Sequence, residues 1–244
     1  MATVKDHYSN VLSDVYSWMF GGFSSGIERN TSFFQNHKIG THLSGLAIDL
    51  GAGCGFQSIP LAQAGFSVTA IDLDGKLLKE LKTNAGTLKI NCIENDLINF
   101  EGYVKRPAEL IVCMTDTILH LESKDKVFSL FGKVIAALED GGKFIITFRD
   151  LSNELLELDR FIPVRSDDNI VFTCFLEYEP ETVKVHDIVY KSNNEKWDLY
   201  KSFYRKLRLP KEWVESQLSR VGFNAIESTV DKGFVSVVAT KADR

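Results

Sequence analysis

From residue 46 to about 148, short apolar runs alternate with stretches whose apolar residues recur at helical spacing. Runs near 46–50, 67–72, 88–94, 109–114 and 143–148 read as strands, and helices are predicted near 57–64, 74–84 and 123–138. The last helix carries Val127, Phe128, Leu130, Phe131, Val134, Ile135 and Leu138 towards a core, with Asp140-Gly141-Gly142 as its stop. Such alternation predicts a doubly wound parallel sheet.

The end of the chain changes that picture. Pro210 opens a helix to about Arg220, closed by Gly222, and two strands follow at 223–229 and 233–240. Only a short turn around Asp231-Lys232 separates them. A parallel crossover needs a dozen or more residues, so these two must pair as an antiparallel hairpin. The predicted fold is α/β: a Rossmann-like, seven-stranded, mostly parallel sheet with a C-terminal antiparallel hairpin and helices on both faces.

Two regions lie outside that frame. Residues 1–45 hold Tyr8, Tyr16, Trp18, Met19, Phe20, Phe23, Phe33 and Phe34, with helical spacing over 11–20 broken at Gly21-Gly22. These aromatics either pack on the sheet or close over a ligand. Residues 150–206 contain strand-like runs at 170–178, 183–190 and 197–207, joined by Glu179-Pro180-Glu181 and Ser192-Asn193-Asn194-Glu195. They form a small antiparallel β insertion. The basic stretch 201–211 alternates its charges with Phe203, Leu207 and Leu209, as an edge strand does.

Composition narrows the function. The chain has 244 residues, 44% of them hydrophobic and 25% charged, which suits one α/β domain with an insertion. A net charge of -5 disfavours a nucleic-acid partner. No run approaches the roughly 20 apolar residues of a membrane span, and the N-terminus lacks an apolar signal region. Cys54, Cys92, Cys113 and Cys174 are dispersed and the five histidines show no ligand spacing. No metal site is predicted, and a cytoplasmic location is expected.

The chemistry concentrates after the first strand. In Asp49-Leu50-Gly51-Ala52-Gly53-Cys54-Gly55-Phe56 a strand runs into a glycine turn and then a helix, the entrance of a nucleotide-type site. A dinucleotide fingerprint is G-x-G-x-x-G, but Phe56 stands where its third glycine belongs. Asp49 would repel a pyrophosphate and suits an ammonium group. At these residues the sequence resembles the class I S-adenosylmethionine-dependent methyltransferases. Asp72, about 20 residues on, suits both hydroxyls of a ribose, while Asp74 suits a helix cap. The resemblance implies S-adenosyl-L-methionine as cofactor, with Asp49, Gly51, Ala52, Gly53, Gly55, Asp72, Leu73, Asp96, Leu97 and Met114 around it; Asp96 and Leu97 would read the adenine.

Methyl transfer from a sulfonium depends largely on alignment, with a general base only where the acceptor must lose a proton. The acceptor is expected beyond the fourth strand, where Asp116 or His120 would orient or deprotonate it. His186 is a weaker candidate, and Arg149 and Asp150 are expected to face the pocket. No Asn/Asp-Pro-Pro-aromatic run or Pro-Cys nucleophile follows that strand, which disfavours base amines and C5-pyrimidine chemistry. The resulting expectation is transfer to an O, N or C centre of a small molecule. Residues 1–45 would form a helical lid in which Tyr8, Trp18 and Met19 close the site. Residues 46–149 and 207–244 would form the core, and 150–206 a roof over the acceptor. Alternatives are an RNA or protein methyltransferase, a non-catalytic S-adenosylmethionine-binding protein, and, more distantly, an NAD-dependent oxidoreductase. The insertion's alternative use is an oligomerisation surface, giving a homodimer.

Overall fold

The structure, a computed structural model, describes residues 3–243; the first two residues of the expected lid and Arg244 lie outside them. The main sheet takes strands β1 (Leu46–Leu50), β2 (Ser67–Asp72), β3 (Ile90–Glu94), β4 (Ala108–Cys113), β5 (Leu138–Arg149), β10 (Phe223–Asp231) and β11 (Phe234–Lys241). Their order is β10-β11-β5-β4-β1-β2-β3. β1 to β5 are parallel, and β11 runs antiparallel to both β5 and β10, as the short terminal turn required. The chain leaves β1 towards β2 and β3, then crosses back to β4. That reversal is a switch point, where ligands bind beyond the carboxyl ends of strands. β4 is buried at every position because helices cover both its faces.

The connecting helices α4 (Ser58–Gln63), α5 (Gly75–Ala85), α6 (Lys124–Ala137) and α7 (Lys211–Val221) match the apolar spacing. One boundary differs. α6 ends at Ala137, and Asp140-Gly141-Gly142 lies inside β5 instead of stopping the helix. There the β4–β5 register slips between Ala108 and Leu110, and Gly141 adopts φ +75°. A Cβ on Gly142 would sit 2.8 Å from the Glu139 carbonyl oxygen, so these glycines serve a bulge.

The N-terminal reading also needs correction. Residues 11–20 are not one helix: α1 (Val4–His7) runs into a π-turn at Tyr8–Leu12, and a separate turn, α2, covers Tyr16–Met19. Ser13 breaks the run; its Oγ lies 2.9 Å from the Tyr8 carbonyl and 2.6 Å from Asp74 Oδ2, competing with the helix ladder. Gly21 and Gly22 do break the chain, and α3 (Phe23–Asn36) follows, which the spacing did not single out. Gly26 of α3 lies directly on the Phe56 ring, and Tyr16, Phe20 and Phe23 surround it. Phe56 is therefore the apolar post against which the N-terminal segment packs.

Between β5 and α7 lies a four-stranded antiparallel sheet, β6 (Phe161–Ser166), β7 (Ile170–Tyr178), β8 (Thr182–Asn193) and β9 (Lys196–Leu207), in that order. The three later strands match the predicted meander; β6 is additional. The basic stretch supplies β9, an edge strand. β8 alternates strictly, with Val183, Val185, Asp187 and Val189 buried and Lys184, His186 and Ile188 on the other face. The root of the insertion is clasped by Arg208, whose guanidinium donates to the carbonyls of Leu151, Ser152 and Glu179.

Candidate functional site

A cavity of about 520 Å³ opens at the switch point, a volume within the range of small-ligand sites. Gly51 and Gly53, from the loop after β1, form part of its floor. Gly51 holds φ +79°, and a Cβ there would meet Thr117 Cγ2 at 2.3 Å. Gly53 has φ +52° but open space around a Cβ, with nothing nearer than Tyr16 at 3.8 Å. Gly51→Ala is therefore expected to destabilise the protein by roughly 2–4 kcal/mol and Gly53→Ala by only about 1 kcal/mol. Urea unfolding of both variants checks the order; equal losses would contradict it.

Asp72 borders the cavity at the end of β2. Its Oδ2 accepts from the Gly53 amide at 2.8 Å and its Oδ1 from the Asp74 amide at 2.8 Å. The carboxylate thus ties the glycine loop to β2, and each oxygen keeps a second lone pair for a ligand hydroxyl. Burial raises its pKa above the usual carboxylate range. Asp74 caps α5 through the amides of Lys76 and Leu77, as its position suggested. Leu73, Asp96 and Leu97 also border the cavity. Asp96 caps its own 3-10 turn through the Ile98 amide, which aims that turn at the cavity.

Several candidates lie elsewhere. Asp49 is buried beneath the loop, where Ser58 Oγ donates to it at 2.6 Å, and it does not border the cavity. Desolvation pushes its pKa up to about 7. Ala52 and Gly55 also stay out of the lining. The Ala52 amide bonds the Ile71 carbonyl, and Gly55 makes room for Leu81. Met114 is packed in the core at the end of β4.

Both catalytic candidates change character. Asp116 sits in a left-handed turn with Thr115, φ +66° and +58°. It accepts from Lys206 Nζ at 2.6 Å and from the Arg149 amide at 2.7 Å. Burial opposes its charge, but Lys206 and Arg149 outweigh it and hold its pKa below the ordinary value. Asp116 does not border the cavity, and its carboxylate is engaged by Lys206 and the Arg149 amide. His120 does border it, but desolvation drives its pKa down to about 3, so the ring is neutral at pH 7. Its Nε2 lies 3.3 Å from the Tyr8 hydroxyl. Neither Arg149 nor Asp150 borders the cavity: Arg149 pairs with Asp116 and Asp150 accepts from Ser152 and the Lys211 amide. His186 faces away, paired with Glu177 at 3.0 Å.

Of the expected lid residues, Tyr8 borders the cavity and Trp18 and Met19 do not. Trp18 Nε1 donates to Asp167, with Arg165 over its ring, and Met19 packs on the core. Tyr16, one of the aromatics noted in residues 1–45, also borders the cavity; sequence reasoning overlooked Thr117, which borders it too, and the buried pair His7–Asp187. Asp187 had a signal: it is the one acid at an inward position of an otherwise apolar alternation in β8.

A cavity lined by Gly51 and Gly53 and by the carboxylates of Asp72, Asp74, Asp96 and Glu122, beside Lys5 and Lys126, suits a cationic ligand with a ribose. A family profile described as "Methyltransferase domain" matches residues 47–142, the span from β1 to the bulge in β5. The family profile, the curated relatives and the shared fold together support a class I S-adenosylmethionine-dependent methyltransferase. It is 25% identical over 191 residues to YqeM of Bacillus subtilis (strain 168), itself named only provisionally as a methyltransferase, covering 77% of this chain and 76% of YqeM. It is 23% identical over 234 residues to the glycine/sarcosine N-methyltransferase of Aphanothece halophytica, covering 93% and 85%. The CcbJ methyltransferase of Streptomyces caelestis shares the fold, with a TM-score of 0.78 at 19% identity over 97% of this chain and 98% of that one. In this methyltransferase, S-adenosylmethionine supplies an activated methyl group, and the protein's task is to bind it and align an acceptor. No helix among the described residues is long and apolar enough to cross a membrane.

Proposed function

We propose that this methyltransferase acts on a small-molecule amine, with the ribose held at Asp72 and the adenine beside Asp96 and Leu97. That placement leaves Tyr8, Tyr16, Thr117 and His120 at the methyl end of the cavity. One observation carries the reading: His120 and the two tyrosines each keep one protonation state near pH 7. Burial lowers His120 to about 3 and raises both tyrosines well above their ordinary value, while Asp116 is engaged by Lys206. A hydroxyl acceptor needs a base in the transition state, whereas a neutral amine attacks through its own lone pair. Bound S-adenosylmethionine would supply the methyl group and leave as the neutral thioether as the amine lone pair forms the N–C bond, and the product ammonium would release its proton to water. The Tyr8 and Tyr16 rings, 6.1 Å apart, supply π faces for that charge. The glycine/sarcosine N-methyltransferase among the relatives supports an amine of small size. The small-molecule lid and roof, residues 1–45 and 150–206, belong to the same reading, as does a cytoplasmic site for four unpaired thiols.

Calorimetric titration should show binding of S-adenosylmethionine and S-adenosylhomocysteine and none of NAD. Methyl-labelled cofactor should then label members of a panel of primary and secondary amines, glycine and sarcosine included, over their isosteric alcohols. The rate should rise with pH along a limb that follows each amine's own pKa. Label on alcohols alone, or a limb fixed by the enzyme for every acceptor, would overturn the amine assignment.

A further inference from the structure

The most enclosed polar contact between the N-terminal segment and the insertion is His7 with Asp187. His7 Nε2 and Asp187 Oδ2 are 2.9 Å apart, with the two side chains 0% and 4% exposed. Cys174 lies cross-strand from Asp187, and its thiol is pushed up to about 12, chiefly by burial. Tyr204 of β9 lays its ring on His7 with centroids 4.3 Å apart. Neither His7 nor Asp187 borders the cavity.

The next residue does. Tyr8 lines the cavity and meets His120 there. α1 is a single turn, too short to hold a direction by itself, so its orientation comes from its tethers. It is fixed on one side at His7 and on the other at Ser13, bonded to Asp74. The π-turn at Tyr8–Leu12 spans the interval between those tethers. Such wide turns are frequent at functional sites because they re-aim one side chain. The tether at His7 and the wide turn together determine where the Tyr8 hydroxyl lands.

We infer that Asp187 and His7 are positioning residues for methyl transfer: their buried contact seats Tyr8 against His120 at the cavity wall. Neither touches the reacting atoms; both act through Tyr8. The insertion thereby sets the geometry of a cavity to which its own strands contribute no lining residue among those described.

The test is a double-mutant cycle read by calorimetry with S-adenosylmethionine, together with the ring ¹⁵N signals of His120. Asp187→Asn keeps the shape of the side chain, and His7→Gln serves if that variant fails to fold. Asp187→Asn and Tyr8→Phe are each expected to weaken binding about fivefold to tenfold. The double variant should be no weaker than the more affected single one. Asp187→Asn should also shift the His120 signals, although the two side chains are not in contact. Additive losses, or His120 signals unmoved in a folded Asp187→Asn protein, would overturn the inference. Absence of binding in the unmodified protein would instead indict the cofactor assignment, and the His120 signals still decide the positioning role.

Discussion

Asp49→Asn should raise the unfolding midpoint by roughly 5–10 °C at pH 8 and leave it nearly unchanged at pH 4. The cause is the depth of Asp49. In the unfolded chain its carboxyl titrates near an ordinary value of about 3.9; in the fold, desolvation lifts it to about 7 and Ser58 only partly compensates. Between those values the native protein holds a proton that the unfolded chain has lost. Stability from this group is therefore full below about pH 4 and falls as pH rises through 7. Three pH units correspond to about 4 kcal/mol, which the neutral amide avoids while still accepting from Ser58. The measurement is calorimetric unfolding of both proteins without ligand across pH 4 to 8. Parallel profiles would show that Asp49 is charged in the fold throughout.

Asp72→Ala should weaken S-adenosylmethionine binding by roughly ten- to a hundredfold, the size of a lost hydrogen bond to a charged group at about 1.5–3 kcal/mol. The carboxylate has two duties: it borders the cavity and it anchors the Gly53 and Asp74 amides. Asp72→Asn separates them. Its oxygen still accepts one amide, so the loop should hold better than in the alanine variant while the ribose contact stays impaired. Titration of both variants at pH 7.5 decides; unchanged affinity in a folded alanine variant would remove Asp72 from the site.

The main sheet was legible because its signals are local. The glycine turn, Asp72 and the two-residue turn before β11 each constrain the backbone within a few residues. The register bulge at Gly141-Gly142 was not legible, since glycine pairs serve helix ends and bulges alike and only the neighbouring strand distinguishes them. Asp72, Leu73, Asp96 and Leu97 could be placed because they follow strand ends. His120 borders the cavity, but its proton affinity depends on burial beside Tyr8 and Tyr204 and on the charge of Lys206, none near it in sequence. Asp49 fails for a similar reason. Its proximity to the glycines suggested a ligand, while Ser58, nine residues on, captures it. The His7–Asp187 contact joins residues 180 apart, beyond any spacing rule.

Arg208 has an implication for how this protein can change. By drawing Leu151, Ser152 and Glu179 together it brings the two ends of the excursion from the main sheet to one point. The entropy of closing a loop grows only logarithmically, about 0.6 kcal/mol for each doubling of length. Strands added to or deleted from the excursion would therefore cost the main sheet little, provided the arginine knot at its base survives. The cofactor floor and the second sheet are free to diversify at different rates, with β8 as the part that stays answerable to both.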